Sequence, residues 1–301
     1  MKILLLGANG QVGHALRTAL EPLGEVVAAT RTGALEGTQG CERADFDEVG
    51  ALQSLVQRVA PGIVVNAAAY TAVDRAEDEP AAAFRANAEA PAALAKACAG
   101  SGALLVHYST DYVFDGLGTS PYQENDPTAP LGVYGASKLA GEQAIQGSGC
   151  RHMIFRTAWV YGNHGGNFMR TMLRLGAQRE QLSVVADQVG TPTPAALIAD
   201  VTRQVLQREW TKSGLWHLTA LGQTSWHGFA QAIFEDAVTS GLIARAPEVL
   251  PISTSQYPTR AQRPAYSCMD TRSLRSTFDV ELPDWREALG QVLSLSPGES
   301  G

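Results

Sequence analysis

Positive charge is scarce in this 301-residue chain: 23 Lys and Arg stand against 30 Asp and Glu, a formal net charge of -7. No run of basic residues occurs, which disfavours binding to a nucleic-acid backbone or an anionic membrane, so any anionic ligand must be held locally. Cysteine is equally thin. Cys41, Cys98, Cys150 and Cys268 lie far apart, with no C-x-x-C pairing and no histidine at metal-ligand spacing. They read as reduced bystanders rather than a disulfide framework or a zinc site. Long apolar runs are missing too. "MKILLLGANG" is broken by Gly7, Asn9 and Gly10 before it could act as a secretory or membrane segment, so cytoplasmic residence is the expectation. Neither an internal repeat nor a low-complexity segment is present, and the terminal "SPGESG" is expected to fray.

What is present is an alternation. "KILLL" reads as a buried strand, followed by a glycine turn and a helix carrying Val12, Leu16, Ala19 and Leu20 on one stripe. The pattern recurs as "EVVAAT" with a helix over 48–59, "GIVVNAAA" with a helix over 80–100, "ALLVHYS" with a helix after Tyr134, and then "HMIFRT". Strands without polar alternation are covered on both faces, which predicts an α/β fold: a Rossmann-like doubly wound parallel sheet. Beyond 165 the alternation loosens. Helical patterns in "NFMRTMLRLG", "SWHGFAQAIFEDAV" and "PDWREALGQVLSL", and strand patterns in "LSVVA" and "LWHLT", suggest a smaller interleaved C-terminal lobe. The expected division is a dinucleotide-binding domain over 1–165, with 184–220 and 245–268 returning to it. A substrate lobe is expected from 166–183, 221–244 and 269–301.

Gly7, Gly10 and Gly13 are spaced G-x-x-G-x-x-G between that first strand and helix. In this context the first glycine permits the turn, the second lets backbone approach a pyrophosphate at the helix N-terminus, and the third lets helix and strand pack closely. The second strand ends without the acid that usually binds the ribose 2′-hydroxyl and offers Arg31 instead. A guanidinium suits a 2′-phosphate, which favours NADPH while leaving NADH acceptable; a solvated surface arginine is the plainer alternative. Asp45 and Phe46 follow where a carboxylate and an aromatic could face adenine, although Asp45 could instead cap the next helix.

In "VYGASKLAGE", Tyr134 and Lys138 stand four apart and share a helix face. Hydride reduction of a ketone leaves an alkoxide that needs a proton. A tyrosine can donate it if a neighbouring ammonium pulls its pKa down. Ser109 and Thr110 end the preceding strand and offer a hydroxyl for the substrate carbonyl. With eight tyrosines and four lysines, chance would place such a pair with a probability of roughly 0.1, so its setting, rather than the pair, carries the reading.

These segments, with "NAAAYTAVDRAE", "HYSTDYVFDG", "FRTAWVYG" and "DQVGTPTPA", resemble the extended short-chain dehydrogenases/reductases, specifically the dTDP-4-dehydrorhamnose reductase family, over nearly the full length. The resemblance implies reduction of the 4-keto group of dTDP-4-dehydro-L-rhamnose by NADPH, giving dTDP-L-rhamnose for cell-surface polysaccharide. Carried over, Tyr134 is the proton donor, Lys138 its partner and Thr110 the hydroxyl that polarises the carbonyl, with Asp111 a sugar contact. Gly10, Gln11 and Val12 would cradle the pyrophosphate. Ala69, Tyr70, Thr71 and Tyr108 would line the cofactor channel. Trp159 would face the sugar, a buried core indole being the alternative, and Arg263 would hold the diphosphate.

Two departures from the family pattern stand out. Tyr266 and Cys268 occupy positions where it carries Asn and Arg, which bears on nucleotide contacts. Some bacterial members dimerise through magnesium held by glutamates, and here Ala15 and Ala196 stand at those places. The expectation is therefore no metal, and a monomer or a homodimer without a magnesium bridge. Among rival functions, nucleotide-sugar dehydratases need Asp-Glu after the threonine, where this chain has Asp111 and Tyr112. Another nucleotide-sugar reductase or an epimerase is the nearer alternative. A non-catalytic NADP-binding regulatory subunit is more distant, because a binding module has no need of a matched donor and helper.

Overall fold

The computed structural model describes residues 1–38, 40–208 and 212–294. Leu295, the end of the last predicted helix, and the 296–301 tail lie outside them. Six strands, β1 (Lys2–Leu6), β2 (Glu25–Thr30), β3 (Glu42–Arg43), β4 (Ile63–Asn66), β5 (Leu104–Thr110) and β6 (His152–Thr157), join the edge strand Gly214–His217 in one sheet. From that edge the order runs Gly214–His217, β6, β5, β4, β1, β2, β3, with every pair parallel. The period of two is visible in β1: Ile3 and Leu5 enter one apolar cluster, Leu4 and Leu6 the other, and all four are fully buried. This is the doubly wound sheet expected. Between β1 and β4 the chain switches direction across the sheet, and a crevice opens at the carboxyl ends of those strands.

Helix α1 (Gln11–Ala19) buries Gly13 and Leu16 on one face of the sheet, and α2 (Val49–Val59) buries Leu52, Leu55, Val56 and Val59 on the other. The helix expected over 80–100 is three pieces: Pro80–Phe84, a π-helical turn Arg85–Glu89, and Ala90–Ser101. Pro91 has no amide hydrogen to donate, so regular i to i-4 pairing fails there. Asn87 in the π turn is fully buried. Its Oδ1 accepts from the Tyr70 amide at 2.8 Å, and its Nδ2 donates to the Tyr70 carbonyl and to Ser137 Oγ, both at 3.0 Å.

The smaller lobe has its own parallel pair, Gln181–Val185 with Glu248–Ile252. Helices Phe168–Gly176, Trp226–Thr239 and Trp285–Ser294 enclose a third cluster that includes Met169, Phe229, Phe234 and Leu289. This pairing divides the chain differently from the expected boundaries. Helix Ala195–Arg208 packs on α1 and Gly214–His217 extends the main sheet, but Glu248–Ile252 stays with the lobe. Helix Arg272–Phe278, expected in the lobe, packs under the main sheet, with Phe278 4.8 Å from Trp216. Local periodicity shows that a strand exists; partner choice depends on surfaces distant in sequence.

Candidate active site

The glycine turn takes its shape from contacts that leave no room for a side chain. Gly7 has φ +75° and lies against the Ala67–Ala68 backbone, and a Cβ on Gly13 would sit 1.9 Å from the Gly7 carbonyl oxygen. These are the turn and close-packing roles expected of the first and third glycines. Gly10 caps α1, whose free amides face the crevice.

A cleft of about 830 Å³ runs along the carboxyl edge of the sheet. It gathers Gly7, Gly10, Gln11, Val12, Arg31, Asp45, Phe46, Ala69, Tyr70, Thr71, Tyr108, Tyr134 and Lys138 from the sequence-derived candidates. The sheet order spreads them: Arg31, Asp45 and Phe46 follow β2 and β3 at one end, the glycine turn follows β1 in the middle, and Tyr134 and Lys138 come from helix Val133–Gln146 beside β5 at the other. Gly13 lies behind this wall. Asp45 does not cap α2; its Oδ1 accepts from the Asp47 amide, and Glu48 holds the cap position. Tyr108 Oη is hydrogen-bonded to Thr202 Oγ1 at 2.8 Å, so the residue's part at this end is played by its backbone.

At that end Lys138 is 2% exposed. Its Nζ donates to the Tyr108 carbonyl at 2.6 Å and lies 3.4 Å from His107 Nε2. Burial pushes its pKa down to about 8, against the opposing pull of the Glu142 carboxylate. Thr110 Oγ1 donates to Asp111 Oδ1 at 2.9 Å and accepts from the Tyr112 amide at 3.2 Å, and the Thr110 side chain is a polar neighbour of the Tyr134 phenol. Thr110, Asp111 and Tyr134 thus come together at one place. Contrary to the expected ammonium effect, burial drives the Tyr134 pKa upward, while the Thr110 side chain opposes it. The Lys138 amine is turned to Tyr108 and His107, and the phenol keeps its proton, which is the form a donor requires.

Four other expected contacts lie outside the cleft wall: Thr110 and Asp111, which follow the wall residue Ser109, and Trp159 and Arg263. Trp159, at φ +46°, stacks on Trp226 at 3.5 Å, and Gly190 packs against its indole with no room for a side chain. Arg263 donates from Nη1 to Tyr112 Oη at 2.9 Å and pairs with Asp74 at 2.8 Å; Tyr112 in turn meets Tyr134 edge-on at 5.6 Å. Arg263 therefore reaches the Tyr134 neighbourhood through one intervening ring.

The structure adds wall residues that the pattern search passed over: Asn9, Asp47, Arg85, Thr157, and Gly165 with Gly166. Among the described residues, Ser109 Oγ and Thr157 Oγ1 are buried cleft hydroxyls without a hydrogen-bond partner. A hydroxyl at the end of each of two adjacent buried strands was the available signal. Buried polar groups demand partners, and these two face a cleft whose floor is a glycine cradle. The residues present therefore fit a dinucleotide with a polar group at the Tyr134 end.

A family model for the RmlD substrate binding domain matches residues 1–296. The chain belongs to the RmlD substrate binding domain family. Among its relatives, a dTDP-4-dehydrorhamnose reductase of Burkholderia thailandensis is 48% identical over 299 residues, covering 96% of this chain and 97% of the relative. Solved structures agree. A dTDP-4-dehydrorhamnose reductase from Clostridium acetobutylicum superposes with a TM-score of 0.89 at 36% identity, covering 98% of this chain and 99% of that one. One from Bacillus anthracis, in complex with NADP, gives 0.89 at 35% identity with the same coverage. Within this RmlD family fold, no described group of three or more His, Cys, Asp or Glu side chains is placed to hold a metal, and no described helix is long and apolar enough to cross a membrane.

Proposed function

We propose that this chain reduces the 4-keto group of dTDP-4-dehydro-L-rhamnose with NADPH, giving dTDP-L-rhamnose. The observation that carries this is the placing of a protonated Tyr134 and the buried Lys138 in the wall of a glycine-floored cleft, with Thr110 and Asp111 beside the phenol, in a member of this family. Reduced nicotinamide bound in the cleft supplies the hydride. Tyr134 gives its proton to the C4 oxygen as charge develops there, Thr110 turns its one proton from Asp111 Oδ1 to the same oxygen, and Lys138 holds the ribose and compensates the phenolate left behind. Ser109 and Thr157 are available to orient the carboxamide. Arg31 favours the 2′-phosphate form of the cofactor.

The four cysteines are unpaired, in keeping with a cytoplasmic site of action. With Ala15 and Ala196 where glutamates would be needed, the chain acts as a monomer or as a dimer without a magnesium bridge. Light scattering with and without chelator tests that. The activity test is spectrophotometric: NADPH is consumed in proportion to dTDP-4-dehydro-L-rhamnose, and UDP- or GDP-linked 4-keto sugars turn over far more slowly. No consumption with the dTDP sugar overturns the assignment, and turnover without net consumption identifies an epimerase.

A further inference from the structure

At the β2 and β3 end of the cleft, two guanidiniums share one carboxylate. Arg31 Nη2 donates to Asp47 Oδ2 at 2.8 Å, and Arg85 Nη1 donates to Asp47 Oδ1 at 2.8 Å. All three side chains line the cleft, although the two arginines come from separate elements, one just beyond β2 and the other in the π turn. We infer that Arg31 and Arg85 form a two-armed clamp for the 2′-phosphate of the cofactor, and that Asp47 is the internal anion with which that phosphate competes. The inference rests on the cofactor reading above and adds the residues that set its selectivity.

Several features converge on this. The end of β2 is Thr30, whose hydroxyl is committed to the Ala34 carbonyl at 3.0 Å, so no carboxylate is there to take a ribose 2′-hydroxyl. Two guanidiniums directed at the two oxygens of one small anion are arranged as phosphate recognition requires. Arg85 springs from backbone that Asn87 ties to Tyr70 and Ser137, so its origin is fixed relative to the cleft. Arg75, the other arginine of the wall, pairs with a different carboxylate, Glu79, at 2.7 Å. The carboxylate between the arms cuts both ways. It keeps two like charges together in the free protein, and it must be displaced or tolerated when a dianion arrives.

The test measures dissociation constants of NADP+ and NAD+ by calorimetry, with adenosine 2′,5′-bisphosphate as a probe of the phosphate contact alone. Arg85→Ala is expected to weaken NADP+ and the bisphosphate about tenfold, the scale of one lost charge-assisted hydrogen bond, with NAD+ unchanged. Asp47→Asn is expected to tighten NADP+ severalfold and again leave NAD+ alone. Retained NAD+ binding shows that each variant keeps its fold. An unchanged ratio of NADP+ to NAD+ affinity in Arg85→Ala, or weaker NADP+ binding in Asp47→Asn, overturns the clamp. If the unmodified chain binds neither dinucleotide, the cofactor reading itself has failed.

Discussion

Lys138 Nζ faces Nε2 of His107 across 3.4 Å, and the hydrogen-bond chain behind that histidine fixes which form the ring takes. Asn66 Oδ1 accepts from the Ala68 amide, so its Nδ2 donates to His107 Nδ1 at 3.0 Å. Burial holds His107 well below the usual histidine range, so the ring is neutral and its one proton sits on Nε2, facing Lys138. The Lys138 ammonium finds no acceptor in that ring and donates to the Tyr108 carbonyl instead, and a pKa of about 8 leaves it mostly charged at pH 7.

A consequence is measurable in stability. Unfolded, Lys138 keeps its proton up to the ordinary value of 10.5; folded, only to about 8. Between those values the unfolded state binds more protons, so stability rises with pH across that window. Lys138→Met is therefore expected to be more stable than the unmodified chain at pH 7 by up to about 3 kcal/mol, an advantage that vanishes toward pH 10.5. Urea midpoints of both proteins across this range decide it, and parallel curves would show an unperturbed lysine.

Tyr134→Phe removes the proton and leaves the ring. Turnover should fall by about 10² to 10⁴, the usual scale for a general acid, while NADP+ affinity stays within about twofold. Thr110→Val should cost about 10² in kcat through the lost hydrogen bond to the developing oxyanion. Unchanged kcat in the tyrosine variant would reassign the donor.

Gly13→Ala forces a methyl toward the Gly7 carbonyl. A loss of about 1–3 kcal/mol in stability is expected, together with weaker dinucleotide binding as the turn shifts. Gly50→Ala is the control, because its Cβ meets nothing within 4 Å on α2. That substitution should stabilise by about 0.5–1 kcal/mol, as alanine does in a helix. Thermal melts of the two should move in opposite directions.

Glu142 and Arg156 are buried, 1% and 4% exposed, and joined by two hydrogen bonds of 2.7 and 2.9 Å. Removing one partner strands the other charge. Glu142→Ala should cost about 3–5 kcal/mol, read from urea unfolding, whereas Glu142→Ala combined with Arg156→Met should recover much of it. An additive double variant would show that the two groups do not act as a pair.

The legible parts of this protein were those whose cause is local. The three glycines, the covered strands and the Tyr134–Lys138 spacing each follow from a few neighbouring residues, and the site inherits them. Other features depend on partners far along the chain. The direction of the Lys138 amine is set by Tyr108 and His107, the pairing of Glu248–Ile252 by Gln181–Val185, and the place of Arg85 by a π turn whose anchor, Asn87, reaches Tyr70 and Ser137. Spacing showed that Tyr134 and Lys138 share a helix face. It could not show that burial, rather than the lysine, would govern the phenol.

The segment that carries Gly165 and Gly166 past the glycine turn has its own consequence. It is fastened there by the His164 ring stacked on His14 at 4.0 Å, by a contact of His164 Nε2 with the Asn9 carbonyl at 3.0 Å, and by hydrogen bonds between Gln11 and both Gly166 and Asn167. These fastenings are few and lie mostly at the surface, so they can break without disturbing either apolar core. A dinucleotide that enters or leaves past this segment would have these few contacts to break, a step separate from the chemistry at Tyr134.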